Sequence, residues 1–173
     1  MRKFGILIIL AGVLIFIAIQ ARTGIFRRAN PGEPANKWVR EQQEAQRLSP
    51  EDIAQIKQHF ADATVTPSGL RYVVQRPGEG SPPSVGAMVV AHYHGTLLGG
   101  QKFDSSYDRN EPFSFRVGTG AVIKGWDEAF AAMKKGEKRT LIIPWWLAYG
   151  TSGKGAIPPR ATLVFEVEVL DIR

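Results

Sequence analysis

Cysteine is absent from the 173-residue chain. That excludes disulfides, thiolate metal ligands, a Cys nucleophile and lipid attachment at Cys. It is compatible with an oxidising compartment without requiring one. Histidine is scarce, at 3 residues. His59 stands alone in a polar segment and reads as a solvated side chain. His92 and His94 share a strand face with no third ligand evident, so no metal site is assigned there. Gly118-Thr119-Gly120 lacks the third glycine of a dinucleotide fingerprint, and Gly150–Gly155 lacks the Gly-Lys-Ser/Thr order of a phosphate loop. The formal charge is +6, yet the basic residues are scattered. There is no Lys/Arg block and no zinc-finger or RNA-binding signature, which speaks against nucleic acid as a partner. A basic surface near anionic lipid fits better.

What is present begins with one apolar run. Met1-Arg2-Lys3 precedes an uncharged stretch from Phe4 to Ile19. A helix from Phe4 to Ala21 would span roughly 27 Å at about 1.5 Å per residue, close to the ~30 Å hydrocarbon core. Ile19-Gln20-Ala21 places a bulky Ile where a cleavage site prefers a small residue. Residues 1–25 are therefore expected to be a membrane anchor, with a cleaved signal peptide as the alternative. Arg2 and Lys3 on one side nearly cancel Arg22, Arg27 and Arg28 on the other, so the positive-inside rule is weak here. By analogy with short signal anchors, the following domain is expected outside the cytoplasm, on the periplasmic or extracytoplasmic face.

Residues 26–65 read as a linker with helices. Asn30-Pro31-Gly32-Glu33-Pro34 is a breaker cluster. Lys37–Arg47, rich in Glu, Gln, Arg and Ala, suits an exposed helix. Ser49-Pro50-Glu51-Asp52 resembles a helix start, with Ser as N-cap and Pro at the first helical position. Ile53, Ile56 and Phe60 then share one face. This region reads as a solvated spacer, and a dimerisation or partner surface is its alternative.

From Thr66 onward the texture is short β-rich runs broken by Gly and Pro. Strands are expected at Gly69–Gln75, Met88–Leu97, Phe113–Val117, Glu137–Ile143 and Thr162–Ile172. Val89, Ala91 and Tyr93 fall on one face of the second run. Leu163, Phe165, Val167 and Val169 fall on one face of the last, opposite Glu166 and Glu168. Asp127–Lys135 has helical spacing and stops at Gly136, a plausible C-cap. One helix among alternating strands predicts an α+β domain, with the helix covering the apolar face of an antiparallel sheet.

Five separated motifs carry a further signal: His92-Tyr93-His94-Gly95, Phe103-Asp104-Ser105-Ser106, Val122-Ile123-Lys124-Gly125-Trp126-Asp127, Leu147-Ala148-Tyr149-Gly150 and Ala156-Ile157-Pro158-Pro159 leading into Ala161-Thr162-Leu163-Val164-Phe165. Together they resemble the FKBP-type peptidyl-prolyl cis-trans isomerases. The resemblance covers residues 66–173 and implies a bent antiparallel half-barrel sheet wrapped on one short helix. It implies cofactor-independent rotation of X-Pro bonds in proline-containing client polypeptides, with macrolide-type inhibitors as further ligands. It places Trp126 at a pocket floor and Tyr93, Phe113 and Phe165 as walls. Val122, Ile123 and Ile157 become aliphatic lining, and Phe103 joins the rim. Tyr149 would direct its hydroxyl at a substrate carbonyl and the Ile123 N–H would donate to another. Asp104 would sit beside the reacting imide, with Arg109 pairing to Asp104 or Tyr93. A non-catalytic proline-peptide-binding chaperone module is the alternative.

The chain departs from the family pattern at Ala121, where a polar or acidic residue often occurs. It also carries Pro144-Trp145-Trp146 before the Leu-Ala-Tyr-Gly motif. The paired Trp residues suit either an extra apolar contact surface for a client or lipid, or buried packing at a strand end. The Thr151–Gly155 loop is short, and the resemblance implies that it overhangs the pocket.

Overall fold

The computed structural model describes residues 47–173. The anchor expected over 1–25, the breaker cluster and all but the last residue of the Lys37–Arg47 helix lie outside the described residues. Among those described, no helix is long and apolar enough to cross a membrane.

The first element is α1, Pro50–His59. It begins as its sequence dictates. Ser49 is in extended conformation and its Oγ accepts the Asp52 N–H at 3.0 Å, which satisfies one of the free donors of the first turn. Ile56 is buried and Ile53 half-exposed. The helix is not a free spacer. The Thr162 hydroxyl donates to Asp52 at 2.5 Å, and Arg71 shares a hollow with Ile53, Ile56 and Phe60. Among the described residues the helix belongs to the same compact unit as the strands that follow. One buried isoleucine and one polar tie seat a short helix whose other side chains are mostly exposed.

Seven strands follow among the described residues: β1 Thr64–Val65, β2 Arg71–Arg76, β3 Met88–Leu97, β4 Lys102–Ser105, β5 Phe113–Arg116, β6 Lys138–Ile143 and β7 Leu163–Ile172. They form one antiparallel sheet in the order β1-β2-β6-β7-β3-β4, and β5 also pairs with β3. Alternation sets the faces. Val89, Ala91, Tyr93 and Gly95 of β3 point inward with Phe165, Val167 and Val169 of β7. Tyr72, Leu141, Phe165 and Gly95 are in register across four strands. Register shifts at Val74/Arg76, Val90/Ala91 and Gly95/Thr96 mark irregularities that bend the sheet around its inner face.

That face is closed by α2, Lys124–Phe130. Gly125 lets it approach: a Cβ there would lie 2.5 Å from Ile143 Cγ2. Trp126, Ala129 and Phe130 are buried against the sheet. The helix expected over Asp127–Lys135 is therefore shifted toward the N-terminus. No Ser, Thr, Asp or Asn stands at its true N-cap, Ile123. Asp127, read as the helix start, instead receives the N–H groups of Gly118 and Gly120 at 2.9 and 2.8 Å. Gly136 has the expected positive φ of 78°. It turns the chain into β6, donating its N–H to Val169 O at 2.8 Å, rather than ending the helix.

One edge of the sheet is split. β5 pairs with Met88–Ala91 of β3, and β4 with His94–Thr96 of the same strand. Between the two pairings the chain loops out from Ser106 to Pro112. The sequence did not mark β4 as a strand, since four residues at an edge carry too little alternation to show a period.

Candidate active site

The inner face opens beside α2 into a cavity of about 270 Å³. Tyr93, Phe103, Asp104, Phe113, Val122, Ile123, Trp126, Tyr149 and Phe165 line it, with Ala121 and Lys154. The floor is Trp126, 5% exposed. Its ring meets those of Tyr93 and Phe165 edge-on, both at 5.2 Å, and Phe113 at 6.0 Å. Phe103 meets Phe165 edge-on at 5.4 Å. Edge-to-face pairs of this kind contribute about 0.5–1.5 kcal/mol each beyond their area burial, so the box is formed without anything bound. Gly95 makes room for it. A Cβ there would lie 2.8 Å from both the Phe103 and the Phe165 rings.

Polar groups are placed at one wall. Tyr93 donates its hydroxyl to Asp104 Oδ2. Arg109 donates to Asp104 Oδ1 at 2.5 Å and to the Tyr93 hydroxyl oxygen at 2.8 Å. The Ser105 N–H adds a bond to Asp104 Oδ1 at 2.8 Å. Arg109 thus pairs with both candidates at once, and the split sheet edge explains how: the looped segment 106–112 brings it back over β3. Ser106 anchors that loop, its Oγ accepting the Tyr93 N–H at 2.8 Å. His92 Nδ1 lies 2.8 Å from the same oxygen.

These contacts set the charge states. Burial pushes the Asp104 carboxyl up, but the hydrogen bonds of Tyr93 and Arg109 and the guanidinium charge outweigh it and hold the pKa below its ordinary value. Burial, then the neighbouring Asp104, raises the Tyr93 phenol. Burial, then the charge of Asp104, raises Tyr149. At neutral pH the wall therefore carries one fixed carboxylate matched by one guanidinium, and two neutral phenols.

Three donors remain available. Tyr149 lines the cavity and its hydroxyl has no side-chain partner among the described residues. The Ile123 N–H makes no backbone bond there either, because Ile123 is extended (φ −60°, ψ 148°) where it enters α2. The buried Trp126 Nε1 also lacks a partner. An unpaired buried donor costs about 1–3 kcal/mol, which applies to Trp126 Nε1; Tyr149 and Ile123 are only half-buried, and their donors are open to a ligand acceptor.

Ile157 departs from its expected place. It is buried in the core and does not line the cavity. Its backbone is what matters: it exchanges N–H···O bonds with Lys154, both at 2.9 Å, and so fixes the loop over the cavity. Arg109 also lies outside the lining and acts through Asp104 and Tyr93. Trp145 and Trp146 are both half-buried. The Trp146 indole donates to Ser68 O at 2.9 Å and its ring covers Gly69, while Arg160 lies over Trp145 at 5.4 Å. Lys154 was missed as a lining residue. A lysine between two glycines gives no period or motif to find it by.

A family model for FKBP-type peptidyl-prolyl cis-trans isomerases matches residues 79–170. The chain is 49% identical over 106 residues to the FKBP-type peptidyl-prolyl cis-trans isomerase FkpA of Escherichia coli strain K12, covering 61% of this chain and 38% of that protein. It is 48% identical over 106 residues to FK506-binding protein 1 of Dictyostelium discoideum, covering 61% and 99% respectively. Among solved structures it is similar to the crystal structure of AtFKBP13, with TM-score 0.62 and 41% identity over 65% of this chain and 99% of that one. The chain spans only 38% of the length of the FkpA relatives it matches.

Proposed function

The chain belongs to the FKBP-type peptidyl-prolyl cis-trans isomerase family, enzymes that need no cofactor, and from that premise we propose that its cavity accelerates rotation of X-Pro bonds in client polypeptides. The observation that carries this reading is the preformed aromatic box on Trp126, open to solvent and flanked by unpaired donors. A cavity of about 150 Å³ holds a six-membered ring. One of about 270 Å³ accommodates a prolyl ring and the adjoining peptide unit.

The reaction breaks no covalent bond. Its barrier of about 18–20 kcal/mol is the resonance lost on twisting the imide. The catalyst must bind the twisted form better than either planar form. The planar imide is the more polar species, and an apolar box strips its water without replacing it. In the twisted form the conjugation is gone and the carbonyl is less dipolar, so the same box disfavours it less. The ring rests on Trp126 between Tyr93, Phe113 and Phe165. Tyr149 and the Ile123 N–H donate to backbone carbonyls on the two sides of the bond, fixing the flanking chain while the imide turns. Asp104 stays ionised and spans no proton transfer. Its part is the fixed field beside the imide and the anchoring of Tyr93. Each 1.36 kcal/mol of preference for the twisted form is worth about tenfold in rate, so roughly 5 kcal/mol gives several thousandfold.

A proline-limited refolding assay tests the reading. Wild type accelerates the slow phase at catalytic concentration. Tyr149→Phe lowers kcat/KM while a proline peptide still binds. A protein that binds the peptide and leaves the slow phase at its uncatalysed rate is a binding module, and the isomerase reading then fails. We further propose that Phe4–Ile19 tethers the domain to a membrane with the cavity on the extracytoplasmic side, so that clients are polypeptides folding near that surface, and that macrolide-type ligands compete for the box. The support is the length and uniform apolarity of that run and the family itself.

A further inference from the structure

We propose that Lys154 is a specificity-determining residue, and that it makes the cavity favour prolines flanked by an acidic side chain. The inference rests on the isomerase reading of the same cavity. Lys154 is held in place by its backbone. Its N–H and C=O both bond Ile157, and the loop can close this tightly because Gly153 is at φ +70°, where an added Cβ would lie 2.3 Å from Ile157 O. Its ammonium lies 5.4 Å from the centre of the Tyr149 ring. That contact sets the ammonium against the side chain whose hydroxyl would bind the substrate backbone.

The charge balance at the mouth makes this ammonium count. The Asp104 carboxylate is taken up by Arg109 and Tyr93, so this pair adds no net charge. Among the described residues Lys154 has no carboxylate partner. Ala121, exposed on the rim, supplies none, and the exposed residue after Ile123 is a second cation, Lys124. A carboxylate next to the proline would meet the Lys154 ammonium. A flanking Lys or Arg would be repelled.

The test uses the full chain and three neutral-backbone peptide series with Glu, Gln or Lys directly before or directly after the proline. Turnover and binding are measured on the same peptides, binding by the intrinsic Trp fluorescence. In wild type at low salt, kcat/KM and affinity for the Glu peptide exceed those for the Lys peptide by about three- to tenfold at one or both positions. The ratio shrinks toward one near 0.5 M salt, where screening acts within about 4 Å. Lys154→Gln abolishes it, Lys154→Arg keeps it and Lys154→Glu inverts it. Equal use of Glu and Lys peptides by wild type, or a preference that survives in Lys154→Gln, overturns the proposal. A charge preference in binding with no turnover of any peptide contradicts the isomerase reading and leaves this one standing. Turnover without charge preference does the reverse.

Discussion

At the scale of single residues, the chemistry depends on groups whose charge does not change near neutrality. Asp104 is held below the ordinary carboxylate pKa, and Tyr93 and Tyr149 above the ordinary phenol value. The rate is accordingly predicted to be flat from about pH 5 to about pH 9, the interval between unperturbed carboxylate and phenol titrations. A pH profile of kcat/KM checks this, and a bell centred near pH 7 contradicts it. Stability has its own sign. A carboxyl with a depressed folded pKa contributes fully above its unfolded value of about 3.9, and that contribution fades as pH falls through the lower folded value. Asp104→Asn removes this dependence and leaves Arg109 and Tyr93 with a weaker acceptor. The Asp104 side chain is 41% exposed, so solvent screens the pair, and denaturant titration of Asp104→Asn should show a loss of about 0.5 kcal/mol at pH 7, and a smaller loss at pH 3. Tyr149→Phe removes a donor that spans no contact inside the fold, so its stability should stay within about 0.5 kcal/mol of wild type while kcat/KM falls by about tenfold.

At the scale of elements, the site exists because α2 sits very close to β6 and because one sheet edge is split. Gly125→Ala puts a methyl against Ile143, 2.5 Å from its Cγ2. Overpacking of this kind costs about 1–3 kcal/mol, and thermal unfolding of the variant reads it. Asp127 clamps the Gly118 and Gly120 N–H groups and so carries the rim residues Ala121–Ile123. Asp127→Ala should raise KM for a proline peptide more than it lowers kcat, since it loosens where the substrate binds without touching the box. Here the sequence was partly legible. The alternation in β3 and β7 gave their buried faces directly, and Ser49-Pro50 marked the start of α1. The start of α2 was hidden because its cap is an isoleucine and its first acid serves a neighbouring turn. The seating of α1 on the sheet was hidden too, because the tie from Thr162 to Asp52 joins residues 110 positions apart.

At the scale of the whole molecule, one bent sheet brings motifs from residues 93 to 165 around a single ring system. Most of the cavity is legible in the sequence, because the motifs that resemble the family's carry the aromatic walls in order. What could not be read were positions whose identity is free and whose placement is set by backbone: Lys154 over the mouth, and Ile157 in the core beneath it. The proposed tether belongs to this scale as well. After carbonate washing of membranes from expressing cells, the full chain should stay in the pellet, and a chain lacking residues 1–25 should be released. Release of both removes the tether.

The most direct measurement is exchange spectroscopy on a short peptide with a single X-Pro bond, with the protein at about one hundredth of its concentration. Exchange between cis and trans resonances is immeasurably slow on this timescale without catalysis, since uncatalysed rotation takes about 10–100 s. The account predicts cross-peaks that appear with wild type and weaken in Tyr149→Phe. Peptide resonances that shift on binding, with no exchange between the two isomers, would contradict it.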